Sequence, residues 1–127
     1  MKNTLKKTPK KILVVEDNAE NMYLVSFLLE HAGYHIVKAE NGLEAVRQAK
    51  VELPDLIIMD IQLPLMNGHE ATIEIKKMPE TRHIPIIAFT AYAMAADIRK
   101  ALEVGCVGYI GKPMSVETFV QEIEIYL

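Results

Sequence analysis

The 127-residue chain has one cysteine and no tryptophan, and only eight of its residues are tyrosine or phenylalanine. A single Cys106 excludes an internal disulfide framework and suits a reducing, cytoplasmic compartment. Placed beside a predicted strand, it reads as a buried structural thiol rather than a reactive one. No apolar stretch approaches the roughly 20 residues that a membrane-spanning helix needs. The lysines at positions 2, 6, 7, 10 and 11 are not followed by a long apolar core, so they are not a signal peptide. They are expected to form a flexible basic arm over residues 1–10, either phosphate- or membrane-seeking or simply solvated. Linkers, internal repeats and low-complexity segments are absent. With a net charge of -3, nothing in the total favours nucleic acid. There is little room for a second domain, so residues 11–127 are expected to fold as one.

What is present is a repeated alternation. Four short apolar runs, Ile12–Val15, Leu56–Met59, Ile86–Phe89 and Val107–Ile110, each end at polar residues: Glu16 with Asp17, Asp60, Thr90, and Lys112 after Gly111. Runs of this length rich in Ile and Val read as buried parallel strands. The predicted strands are 11–15, 34–39, 55–59, 84–89 and 107–111. The second alternates most clearly and is the expected edge strand.

Helices fill the intervals. The first is capped by Asn18 and stopped by Gly33, with Leu24, Val25, Leu28, Leu29 and Ala32 as its buried stripe. The second is capped by Asn41, with Glu44 completing a capping box and Leu43, Val46 and Ala49 facing the core. The third covers about 69–78, the fourth about 94–104, stopped by Gly105, and the fifth runs from a Ser115 cap to the chain end. Residues 62–68 are too rich in turn formers to be helix. Five βα units with right-handed crossovers give a flavodoxin-like, doubly wound α/β sandwich in strand order 2-1-3-4-5.

In such sheets the ligand site lies at the carboxyl ends of the strands, and the topological switch point falls between strands 1 and 3. Asp17 and Asp60 follow those two strands. Three acids, a hydroxyl and an ammonium are therefore expected to converge on one sheet edge. Clustered carboxylates repel one another, and a divalent cation relieves the repulsion. Hard oxygen ligands with no His or Cys among them suit Mg²⁺ rather than zinc. His31, His35, His69 and His83 are scattered and receive no role. A carboxylate can also attack phosphorus to give an aspartyl phosphate, a reaction that needs mainly positioning and charge neutralisation. Asp60 ends the most apolar strand and is the expected acceptor. Lys112 is the expected counter-charge, and Thr90 a hydrogen-bond donor to phosphoryl oxygen.

At these residues the chain resembles the receiver domain of two-component response regulators, the CheY-like family. The motifs are Val-Val-Glu16-Asp17-Asn18, Ile-Met-Asp60-Ile-Gln-Leu-Pro64-Leu-Met-Asn-Gly68, Thr90-Ala91 and Lys112-Pro113. The resemblance covers Lys11 to Leu127. It implies that Asp60 takes a phosphoryl group from a phosphohistidine on a sensor histidine kinase or histidine phosphotransfer protein. It also implies Mg²⁺ (or Mn²⁺) on Asp17, Asp60 and the main-chain carbonyl of Gln62, with Glu16 acting mostly through a metal-bound water. Thr90 and Lys112 would hold phosphoryl oxygens, Ala91 would leave access, and Tyr109 would be the aromatic switch partner of Thr90. The Lys112-Pro113 bond is expected to be cis.

The expected protein is a cytoplasmic signalling domain, not a metabolic enzyme, that supports its own Mg²⁺-dependent phosphorylation and dephosphorylation. It signals through protein contacts, without direct nucleic-acid binding or membrane insertion. A stand-alone regulator is favoured, because the chain ends with the fifth helix. The alternatives are a receiver cut from a larger regulator or hybrid histidine kinase, and a small phosphatase with an aspartate nucleophile. The phosphatase reading calls for a cap segment and an Asp-x-Asp pattern, and Asp60-Ile-Gln breaks that pattern.

Overall fold

A computed structural model describes residues 9–91 and 94–127. The basic arm, apart from Pro9 and Lys10, lies outside the described residues. Five parallel strands, β1 (Lys11–Val15), β2 (His35–Ala39), β3 (Leu56–Asp60), β4 (Ile86–Thr90) and β5 (Gly108–Gly111), lie in the order β2-β1-β3-β4-β5. The helices are α1 (Ala19–His31), α2 (Gly42–Glu52), α3 (Gly68–Lys77), α4 (Ala95–Val104) and α5 (Phe119–Glu124). β2 is an edge strand, as its alternation predicted.

The period of two along each strand divides the core. Leu13, Val15, Ile57, Met59, Ile86 and Ala88 pack on the α2–α3–α4 side with Ala45, Ala49, Ala71, Ile75 and Ala101. Ile12, Val14, Ile58, Ile87 and Phe89 pack on the other side with Val25 and Leu29 of α1 and Phe119 and Ile123 of α5. β3 and β4 are buried at every residue, which is why they read as continuous apolar runs.

Several helical details differ from the sequence reading. α1 buries Met22, Val25, Ser26 and Leu29, the i, i+3, i+4, i+7 set. Leu24 and Leu28 are half-buried and Ala32 is exposed. The stripe is rotated so that Ser26, polar by type, lies within it, its hydroxyl donating to the Met22 thioether at 3.6 Å. In α2 the buried residues are Gly42, Ala45 and Ala49, while Leu43 is 53% exposed. Small residues let this helix approach the sheet and, at Gly42, the Met66 backbone of the β3–α3 loop closely, so the larger side chain turns outward. The Asn41 side chain caps Glu44 N at 2.8 Å, but Glu44 reaches back to Glu40 N rather than to Asn41 N. A complete capping box occurs instead at α3, between Asn67 and Glu70. α5 starts later than expected: Ser115 bonds the Glu117 carboxylate instead of a backbone N–H, and a turn over 116–118 precedes Phe119. Cys106 is buried, which pushes its thiol up to about 11. Among the described residues, no helix is long and apolar enough to cross a membrane.

Candidate phosphoryl-transfer site

The register of the sheet assembles the site. Val15 lies beside Met59, Asp60 beside Phe89, and Thr90 beside Gly111. Glu16 therefore leaves β1 next to the end of β3, and Lys112 leaves β5 next to the end of β4. Asp60 and Thr90 are the last residues of their strands, not the first beyond them. The Lys112 N–H donates to the Thr90 carbonyl at 2.9 Å, which fixes the chain where the ammonium departs. The Lys112-Pro113 peptide is cis, as expected.

Glu16, Asp17 and Asp60 each offer a carboxylate oxygen, and these atoms lie within 4.8 Å of one another. Glu16 and Asp60 are buried and Asp17 is exposed. Lys112 Nζ stands 2.8 Å from Glu16 Oε1 and 3.1 Å from Asp60 Oδ2. Its charge also lies 5.0 Å from the centre of the Phe89 ring. The second Asp60 oxygen, Oδ1, accepts from Gln62 N at 3.0 Å, and Glu16 Oε2 accepts from Asn18 N at 3.2 Å.

The electrostatics are strained in a consistent direction. Burial first, and the Glu16 charge second, push the Asp60 carboxyl up to about 6, against the opposing pull of Lys112 and the Gln62 N–H. Burial pulls the Lys112 ammonium down, but its contacts with Glu16 and Asp60 outweigh this and leave it raised. Two buried acids and a third nearby, held by one ammonium, form a site short of positive charge. The donors are all hard oxygens, which fit a small divalent cation.

The structure brings Glu16, Asp17, Asp60, Thr90 and Lys112 to one edge, with the Gln62 backbone beside Asp60. Thr90 is 4% exposed. Tyr109 is not drawn in: it is 45% exposed on β5, paired with Ala88. An open pocket of about 570 Å³ adjoins the acids, lined by Asp17, Gln62, Pro64, Asn67, His69 and Asp97 among others. The sequence reading gave His69 and Asp97 no place here. Neither belongs to a spaced motif, and only the packing of α3 against α4 juxtaposes them. Burial and Lys100 lower the His69 pKa, with Asp97 opposing.

The comparisons agree with this geometry. The sequence matches the response regulator receiver domain model over residues 12–124. It is 48% identical over 119 residues to the polar-differentiation response regulator DivK of Brucella anthropi, covering 94% of this chain and 97% of that one. Among solved structures, the receiver domain of sensor histidine kinase PA1611 from Pseudomonas aeruginosa, with magnesium in its active-site cleft, superposes with a TM-score of 0.87 at 34% identity. That alignment covers 94% of this chain and 98% of the other. The chemotaxis response regulator CheY4 of Vibrio cholerae gives 0.89 at 29% identity, covering 94% of this chain and all of that one. A sheet of order 2-1-3-4-5, an acid cluster and opposing lysine at its carboxyl edge, and a family match across nearly the whole fold place this chain in the response regulator receiver family.

Proposed function

We propose that this receiver works as a phosphorylation-dependent switch in which Asp60 is the phosphoacceptor. One observation carries the reading: Lys112 bridges the buried carboxylates of Glu16 and Asp60, with the Asp17 carboxylate alongside. An oxygen of the Asp60 carboxylate attacks the phosphorus of a phosphohistidine. The new O–P bond forms as the P–N bond breaks, and the donor imidazole leaves. Lys112 neutralises charge on the phosphoryl oxygens, and Thr90, at the end of the neighbouring strand, donates to another. Glu16, Asp17, Asp60 and the Gln62 carbonyl are the groups to hold Mg²⁺, or Mn²⁺ in its place. The cation would offset the like charges and the charge on the phosphoryl group. Water attack on the acyl phosphate then returns free Asp60 and inorganic phosphate, so the domain supports its own phosphorylation and dephosphorylation.

The donor is a sensor histidine kinase or a histidine phosphotransfer protein, and the setting is cytoplasmic. Residues 11–127 form the receiver, preceded by the basic arm over 1–10. The outward Tyr109 ring is the second half of the switch: when Thr90 is drawn towards the phosphoryl group, the ring turns inward and the α4–β5–α5 surface changes.

The test is phosphorylation of the full chain by acetyl phosphate and by a phosphohistidine donor with Mg²⁺, followed by borohydride reduction and peptide mass mapping. The reduced product is expected at Asp60 only. Modification at another residue, or none with either donor, refutes the assignment. Turnover of small phosphomonoesters would instead favour the phosphatase reading.

A further inference from the structure

The Lys112 ammonium has a third neighbour, and this one carries no charge. Its Nζ stands 5.0 Å from the centre of the Phe89 ring, within the roughly 6 Å at which a cation is drawn to the negative face of an aromatic ring. The sheet register explains the meeting. Phe89 pairs with Asp60 on one side and with Ile110, two residues before Lys112, on the other. The alternation of β4 sends Ala88 to the α2–α3–α4 side and Phe89 to the side of α1 and α5, where Ile110 also packs. A phenylalanine in the last-but-one place of β4 therefore lies between the acceptor strand and the strand that delivers the lysine.

The ring is held in place. Phe89 is 2% exposed, and Phe119, the fully buried first residue of α5, packs on it with centroids 5.9 Å apart at 47°. The Lys112 side chain is only 16% exposed, so little water intervenes to weaken the attraction. The other partners of the ammonium are Glu16 Oε1 at 2.8 Å and Asp60 Oδ2 at 3.1 Å. In the phosphoryl transfer the Asp60 carboxylate loses its charge as its oxygen bonds to phosphorus. The ring takes no part in that step, and its pull on the ammonium is the same before and after.

We propose that Phe89 is a positioning residue for Lys112: its ring face holds the ammonium beside Asp60 while the carboxylate reacts. An alkyl side chain of similar volume would fill the same core space without that pull. The proposal rests on Asp60 as phosphoacceptor and Lys112 as its counter-charge, and it adds to them a core residue of β4 that touches neither donor nor phosphorus.

The test replaces Phe89 in the full chain by 4-fluoro-, 3,5-difluoro- and 3,4,5-trifluorophenylalanine, which withdraw charge from the ring face with little change of shape. The rate of Asp60 labelling by acetyl phosphate with Mg²⁺ should fall stepwise, by about tenfold at the trifluoro ring, the size of a largely desolvated cation–ring attraction. Phe89→Leu should be slowed as much. It should also lose the upfield ring-current shift that NMR is expected to show for the Lys112 ε-protons in unphosphorylated wild type. The same fluorination of Phe119, which among the described residues has no ammonium over its ring, should leave the rate unchanged. Rates indifferent to fluorine on Phe89, an equal fall from fluorine on Phe119, or Lys112 ε-protons without a ring-current shift in wild type overturn the proposal while the acceptor assignment stands. Wild type unlabelled at Asp60 refutes that assignment, and this proposal with it.

Discussion

Replacing Asp60 by asparagine should stabilise the metal-free protein at neutral pH while removing the phosphoacceptor. The carboxyl is raised from 3.8 to about 6, a shift of about 2 units, or on the order of 3 kcal/mol of cost to the folded state when it is ionised. That figure is an upper one, because Glu16 and Lys112 titrate together with Asp60. Asparagine stays neutral. It keeps an oxygen for Gln62 N but gives up the 3.1 Å contact with Lys112, on the order of 1 kcal/mol while Lys112 retains Glu16. The net gain is roughly 1–2 kcal/mol, or about 0.5–1 M in the urea midpoint.

The pH dependence fixes the sign. Between about 4 and 6 the native wild type binds more protons at Asp60 than the unfolded chain does, so its stability falls as pH rises through this window. The advantage of Asp60→Asn should therefore be present at pH 7.5 and gone by about pH 3, below the ordinary carboxyl value of 3.8, where Asp60 is mostly protonated in both states. Urea unfolding followed by circular dichroism at the two pH values, with chelator present, measures it. A variant less stable than wild type at pH 7.5, or equally advantaged at both, would refute the account of a charge-strained site. Added Mg²⁺ should narrow the difference by stabilising wild type more than the variant, through mass action on the folded state.

Asp17→Ala should weaken Mg²⁺ binding at least tenfold in a calorimetric or NMR titration with little effect on stability, because Asp17 is exposed; unchanged affinity would move the metal elsewhere. Thr90→Ala should still be labelled by acetyl phosphate. In amide NMR with beryllofluoride, however, it should lose most of the shifts around Tyr109, and equal shifts in both proteins would break the proposed Thr90–Tyr109 coupling. Gly68→Ala should cost more than about 2 kcal/mol, because the new Cβ meets the Asp60 carbonyl at 2.2 Å and neither backbone segment can yield freely. Its unfolding midpoint checks this, and a neutral result would show that the β3–α3 loop is looser than it looks.

Much of this protein was legible in its order of residues. Continuous apolar runs identified β1, β3 and β4, because strands covered on both faces have no polar side to interrupt them. The polar residues following them named the site, because a parallel sheet lays all its carboxyl ends along one edge. Asn18, Asn41 and Gly105 announced helix ends through local capping chemistry, which acts within a few residues and so shows in sequence.

What local pattern could not supply depended on how closely elements approach. The rotation of α1 that shelters Ser26, and the outward turn of Leu43 above the small Gly42–Ala45–Ala49 face, follow from helix-to-sheet distance. The late start of α5 followed from Ser115 finding Glu117 instead of a backbone N–H. The rise of Asp60 to about 6 needed both burial and the neighbouring Glu16, a residue 44 positions away in the chain. The positive φ of Leu65, +68°, falls next to Met66, whose carbonyl lies against Gly42 of α2, a contact between residues far apart in the chain. The sequence alone determined which groups reach the sheet edge, since that is set by strand period and topology. The tertiary structure decided their charge state and which side chains remain exposed, since both depend on distances that no spacing along the chain encodes.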